Sequence, residues 1–288
     1  MARRLQLPQE LIDTILENID VDVDQWTLRC CSLAHSSLLH SSHRRIFRRI
    51  VLYPQLGHYY TSGSKPTSRC QRLHNLLLKS PHITTFIQEL KLYEGQSCMS
   101  QNWMGSDPSL PLVLGMLKDL ARLEFRRLEW SKLPLAVRQS IQNVLELPTL
   151  HFIQMERSVF ASMDDFSSLL SHAEGLTGLS LDEIYTSWGQ PVSPEGSSRG
   201  RDTKEQLENV YSNRQRHLLD LCLQVNNYSK FVNWILGPHS LLDISHVQTL
   251  HITHHSRSEE HVINHLLYII GGSLNHFKLD AANNFWSE

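Results

Sequence analysis

The residues best equipped for chemistry lie near the C-terminal end, where His251, His254, His255, His261 and His265 crowd together. Neutral imidazole nitrogens are good zinc ligands, and His261 and His265 fall one helical turn apart on a shared face. No His-Glu-x-x-His sequence accompanies them, so the general base of a zinc hydrolase is missing. With 17 histidines in the chain some clustering is expected, and no metal ligand is assigned on this pattern. A P-loop and a Gly-x-Gly-x-x-Gly fingerprint are also absent. Arg44, Arg45, Arg48 and Arg49 are the one basic run, in a chain of net charge −2, and read as a solvated helix face rather than a phosphate grip. Neither an enzyme nor a nucleic-acid binder is expected, and no cofactor is implied.

Chain length and composition bound the elements that position such residues. With 288 residues there is room for one extended domain and a small one. Five cysteines, an odd number with no Cys-x-x-Cys pair, suit a reducing compartment. Met1-Ala2-Arg3-Arg4 leads into the first helix without a long apolar region, and no later window is long enough to span a bilayer. The expectation is a cytoplasmic or nuclear protein with no membrane partner. Asn227-Tyr228-Ser229 spells a glycosylation acceptor, which without a secretory signal is a chance match.

One phrase recurs along the chain: an apolar residue, two others, an apolar residue, one other, an apolar residue. Its copies are Ile87/Leu90/Leu92, Leu120/Leu123/Phe125, Leu147/Leu150/Phe152, Leu176/Leu179/Leu181, Leu218/Leu221/Leu223, Val247/Leu250/Ile252 and Leu274/Phe277/Leu279. Phe47/Ile50/Leu52 fits the same template. The middle residues lie 33, 27, 29, 42, 29 and 27 positions apart, mostly in or near the range of leucine-rich repeats. Each copy predicts a short strand, since residues two apart share a face. Helical spacing predicts intervening helices over 69–79 and 133–145, a third opening at Asp164-Asp165-Phe166, and a fourth from Glu259 to Ile270.

Strand alternating with helix implies a parallel sheet in which each unit shields its neighbour. The wide spacings predict loop insertions at about 95–108 and 186–203, the second rich in Gly, Pro and Ser, with Trp188 at its edge as a candidate recognition residue. The unburied strand face carries polar residues of both signs. Lys91, Tyr93, Glu124, Arg126, His151, Asp182, His251 and Lys278 are its candidate contacts for a protein target. A solenoid also needs a closing cap: either Phe285 and Trp286 fold back over the open end, or the chain is a piece of a longer product.

The N-terminal stretch has a different character. Pro8 suits a helix start, and Leu11, Ile12, Ile15, Leu16 and Ile19 share one face; Asp24 can cap a second helix, and Leu38, Leu39, Ile46 and Phe47 belong to a third. So small a unit cannot bury all these side chains internally. The run Leu7-Pro8-x-Glu10-Leu11-x-x-x-Ile15-Leu16, then Leu28-Arg29-x-Cys31-Ser32-Leu33, then Arg44-Arg45-Ile46-Phe47-Arg48-Arg49-Ile50-Val51-Leu52 resembles an F-box in the form common among fungal proteins. Where that family often carries Cys-Arg-x-Trp, this chain reads Ala34-His35-Ser36-Ser37-Leu38.

The resemblance implies a helical hook that docks on a Skp-type adaptor and through it on the cullin of a ubiquitin ligase. By position, Leu7, Pro8, Leu11, Ile15, Leu16, Leu28 and Leu33 would face the adaptor. The fold class expected is α/β, with a helical F-box over residues 5–50 and a curved leucine-rich-repeat-like solenoid of parallel sheet and outer helices over 51–288. The function expected is substrate recognition for the ligase; the alternative is a non-ligase scaffold whose N-terminal helices act as a cap.

Overall fold

The computed structural model describes residues 7–54, 67–95, 102–186, 216–225, 228–237, 240–254 and 260–281. Trp188, His255, Phe285, Trp286 and all but Thr186 of the 186–203 insertion lie outside them.

Three helices open the chain: α1 (Gln9–Glu17), α2 (Gln25–Ala34) and α3 (Ser36–Phe47). Pro8, in an extended conformation, precedes the first helical residue. Ile12, Leu16 and Leu28 form a small core of their own, with Ile19, Val21, Cys31, Leu38 and Ile46 packed around it. Asp24 occupies the N-cap of α2 without making the side-chain bond expected of it, whereas His35 caps α3 by accepting the Ser37 N–H at 3.1 Å. Arg45 closes the other end of α1, donating to the carbonyls of Glu17 at 3.0 Å and Ile19 at 2.9 Å. Those carbonyls have no partner within the helix, so Arg45 is structural rather than free for a phosphate.

A single residue, Arg48, separates α3 from β1 (Arg49–Leu52). Then follow α4 (Arg69–Lys79), a short 3-10 turn (Pro81–Phe86), β2 (Glu89–Tyr93), α5 (Trp103–Ser106), α6 (Ser109–Met116), β3 (Arg122–Arg126), α7 (Leu135–Leu145) and β4 (Phe152–Glu156). Beyond these come β5 (Val159–Phe160), α8 (Met163–Leu170), β6 (Gly178–Asp182), β7 (Tyr185–Thr186), β8 (Arg216–His217), β9 (Asp220–Gln224) and α9 (Tyr228–Ile235). The last are β10 (Leu242–Asp243), β11 (Thr249–His254), α10 (Glu260–Ile270) and β12 (His276–Ala281). The protein is therefore α/β. No helix among the described residues is long and apolar enough to cross a membrane.

Eight strands make one parallel sheet in the order β1-β2-β3-β4-β6-β9-β11-β12, and the pairs β5–β7 and β8–β10 form two small parallel sheets beside it. Each main strand lies next to its predecessor without stagger: Leu90 pairs with Leu123, Leu123 with Ile153, Ile153 with Leu179, Leu179 with Leu221 and Leu221 with Leu250. A backbone device repeats at every step. The carbonyls of Arg48, Gln88, Ala121, His151, Thr177, Leu219 and Gln248, each just before a strand, accept two successive N–H groups from the start of the next one. After β3, β4 and β6 the chain turns through Arg127, Arg157 and Glu183, all left-handed at φ 61°, 51° and 49°. Each donates its N–H at 2.7 Å to the carbonyl ending the next strand. A non-glycine residue there costs about 1–3 kcal/mol, which the surrounding bonds must offset.

The inward strand residues, Leu90 and Leu92 through Leu250 and Ile252, are buried against helices α4, α6, α7, α8, α9 and α10 in one continuous core. The third copy of the repeat phrase needs correcting. Its inward residues are Leu150, Ile153 and Met155, not Leu147, Leu150 and Phe152. Leu147 just follows α7, and Phe152 faces outward beneath the Arg122 guanidinium, 3.9 Å from its ring centre. Large apolar residues on both sides of the true frame imitate it. Phe152 also accounts for Gly178 beside it, since a Cβ there would come within 2.4 Å of the ring. His151 consequently stands one residue before β4 and off the strand face, bound by its backbone.

The 95–108 insertion is not irregular throughout. The Glu94 carboxylate accepts the N–H of Trp103 at 2.7 Å, and the Trp103 indole donates to the Tyr93 carbonyl at 2.7 Å, folding α5 back onto the end of β2.

The corrected frame is testable by urea unfolding. Ile153→Ala should cost about 2–5 kcal/mol, the usual range for truncating a buried aliphatic residue, while Phe152→Ala should cost under half as much. The opposite ranking would restore the frame expected from sequence.

Candidate functional site

The open face of the sheet is a grid. Its central row runs Val51, Lys91, Glu124, Gln154, Ser180, Cys222, His251, Lys278, and the row beside it Tyr93, Arg126, Glu156, Asp182, Gln224, Thr253, Asp280. Adjacent strands lie about 4.8 Å apart, so side chains at matching positions touch. Opposite charges use this. Arg49 pairs with Glu89 at 2.9 Å and Arg126 with Glu156 at 2.8 Å, and Lys91 pairs with Glu124. Tyr93 donates its hydroxyl to the other Glu124 oxygen at 2.8 Å. Burial, reinforced by that bond and by the charge of Glu124, pushes the Tyr93 phenol up to about 12.

Lys91, Tyr93, Glu124 and Arg126 thus meet in one connected cluster. His251 and Lys278 meet in a second, both bonded to Asp280, at 2.8 and 2.6 Å; these hydrogen bonds hold the Asp280 carboxyl below its ordinary range. Asp182 lies on the same face between the two, at the end of β6. His151 joins neither.

Spacing alone did not indicate a chain running from Cys222 through His251 to Asp280. The Cys222 sulfur lies 3.5 Å from His251 Nδ1, and His251 Nε2 lies 2.8 Å from Asp280 Oδ2. That order of thiol, imidazole and carboxylate is the one a nucleophilic cysteine needs. Burial, however, raises the Cys222 pKa, the opposite of what yields a thiolate at neutral pH. The arrangement as built is a hydrogen-bond network. Gly196-Ser197-Ser198-Arg199-Gly200 spells a hydrolase-type Gly-x-Ser-x-Gly, lies outside the described residues, and is assigned no role.

The late histidines divide. His261 and His265 are exposed on α10, whose Val262, Ile263, Leu266 and Ile270 turn inward, whereas His251 is on the open face of the sheet. They do not converge on one point.

The N-terminal helices present a second candidate surface. Leu7, Leu11 and Ile15, four residues apart, remain exposed, the latter two at 50% and 56%; Pro8 and Leu33 are exposed as well. Leu16 and Leu28, assigned to the same contact by resemblance, are only 2% and 0% exposed. They are the internal core of the helices and cannot reach a partner. Trp26, bare on α2 and overlooked in the sequence, offers more apolar area than either. A cleft of about 370 Å³ lies where these helices meet the sheet, lined by Asp20, Asp22, Arg45, Arg48, Arg49 and Glu89. Arg49 bridges Asp22 and Glu89, both at 2.9 Å, so these three charges of the cleft are spent on each other.

No family model matches the chain, and no curated protein matches it.

The Tyr93 environment gives a pH prediction. Its folded value of about 12 exceeds the ordinary 10.0, so its contribution to stability is complete below pH 10 and is lost as the pH rises through 12. Alkaline titration by tyrosinate absorbance of the folded protein should show a late-ionising phenol that is lost in Tyr93→Phe.

Proposed function

We propose that this chain is a non-catalytic substrate receptor of a Skp-cullin-F-box ubiquitin ligase, acting in the cytoplasm or nucleus. The helices α1 to α3 dock on the Skp-type adaptor, and a leucine-rich-repeat-like solenoid holds a protein target on its concave face. The observation that carries the reading is the exposed stripe of Leu11 and Ile15 on α1, continued by Leu7 just before it. The opposite side of that helix, with Ile12 and Leu16, already serves the internal core, and among the described residues nothing covers the stripe. Contiguous apolar stripes on small helical units mark partner sites. On the sheet, paired charges, tyrosine and histidine over a rigid platform suit recognition of a polar protein surface. Holding the target near a ubiquitin-carrying enzyme raises its effective concentration, which is the whole of the catalysis asked of this subunit.

A second reading, a scaffold with the helices as an end cap, draws on how α3 meets the sheet. His40 packs edge-on against Phe86 at 5.1 Å, and Arg49 ties Asp22 to Glu89. Those contacts brace one edge of the sheet whether or not an adaptor binds.

Co-purification with a Skp-type adaptor separates the two. Each apolar side chain buried at such an interface contributes roughly 1.5–3 kcal/mol, so Leu11→Asp with Ile15→Asp should weaken binding by at least about a hundredfold. Both sites are exposed, so the double variant should keep the wild-type melting temperature. Wild-type protein that stays folded and fails to bind the adaptor would leave the scaffold reading in its place.

A further inference from the structure

Outside both candidate surfaces, the small sheet formed by β8 and β10 brings together three side chains with metal-ligating atoms. We propose that His217, Asp243 and His246 form a binding site for a divalent transition-metal ion of the zinc class. One ligand atom from each lies within 4.8 Å of the others. His217 Nδ1 is 2.7 Å and His246 Nε2 3.9 Å from Asp243 Oδ2. With zinc bonds of about 2.0–2.2 Å, the ligand atoms of a tetrahedral site lie roughly 3.4 Å apart. The two observed separations straddle that value, so small side-chain rotations suffice to admit the ion.

The site is held by backbone rather than by chance contact of surface side chains. Parallel pairing places His217 directly across from Asp243, and the Leu218 N–H donates to the Asp243 carbonyl at 2.9 Å. Asp243 Oδ1 accepts the Ser245 N–H at 2.9 Å, which fixes the carboxylate and leaves Oδ2 directed at the two rings. The rings stand edge to face with centres 4.8 Å apart. Leu218, Leu242, Ile244 and Val247 are buried on either side and anchor the segments that carry the ligands. Both histidines are solvent-exposed, so an ion has access and a fourth position stays open. Two imidazoles and one carboxylate favour zinc, cobalt or nickel over calcium or magnesium.

Each strand of this sheet is two residues long. An ion shared between them would cross-link the β7–β9 connection to the α9–β11 connection and favour the folded state in proportion to its occupancy. The inference is independent of the ligase reading.

The test uses the full chain after chelator treatment, titrated with zinc by calorimetry and with cobalt by visible absorption. One ion per chain is expected, with the intense cobalt bands of a four-coordinate site. His246→Gln should weaken binding at least tenfold, and His217→Gln with His246→Gln should abolish the cobalt bands. His261→Gln with His265→Gln should leave both signals unchanged. His246 is exposed and lies outside any strand, so its single variant remains decisive if the double variant unfolds. Wild-type protein that binds no more tightly than the His246 variant, or a cobalt spectrum that survives both substitutions, overturns the proposal.

Discussion

A strand of this sheet has one face turned to the helices, and the leucines on that face stay dry only while another strand lies on each side. Burial here is lateral. Leu123 is covered by Leu90 and Ile153, Leu179 by Ile153 and Leu221, and no unit could keep water out alone. That dependence on neighbours is the general condition of stacked strand–helix units. The backbone meets it with the same solution at each step, a carbonyl before the strand taking two N–H groups from the next. Hydroxyls reinforce it: Thr149 donates to the Leu120 carbonyl and Ser273 to that of Val247, both at 2.9 Å, each from the residue before an inward leucine to the equivalent place one unit back.

The open face inherits its chemistry from this arrangement. Because strands stack without stagger, a side chain there meets the residue at the same position one unit away. Like charges would repel and unlike ones pair, and the observed pairs are Lys91 with Glu124 and Arg126 with Glu156. Both pairs are partly buried, so the cost of desolvating the charges offsets much of their attraction. What they supply is a surface of fixed polarity, with both signs available to a binding partner at set spacing.

Much of this was legible in the sequence because the governing signal is simple. A three-residue apolar phrase returning at nearly constant intervals can only be satisfied by strands in one sheet, and helical spacing located α4, α7, α8 and α10. The frame failed at β4 because Leu147 and Phe152 are apolar for other reasons, one beside the end of a helix and the other under an arginine. The pattern records which residues are apolar and not which way they point. On α1 the F-box resemblance placed Leu16 outward with Leu11 and Ile15, although a turn of the helix puts it inside with Ile12. The chemistry-bearing groupings were harder still. His217, Asp243 and His246 come from two segments, and neither carries a recognisable motif. Of the histidines that do cluster along the chain, His251 lies on the sheet face and His261 and His265 on the exposed side of α10.

The unstaggered register also fixes how the molecule can change over evolutionary time. Several paired side chains are one unit apart: Arg49 and Glu89 by 40 positions, Arg157 and Glu183 by 26, His217 and Asp243 by 26, His251 and Asp280 by 29. Loss of one member leaves the other facing its neighbour unmatched, and the nearest remedy is a compensating exchange in the adjacent unit. Substitutions at these positions are therefore coupled between adjacent units rather than along the chain. Among descendants of one ancestral gene, that coupling would appear as covarying columns offset by the local unit length.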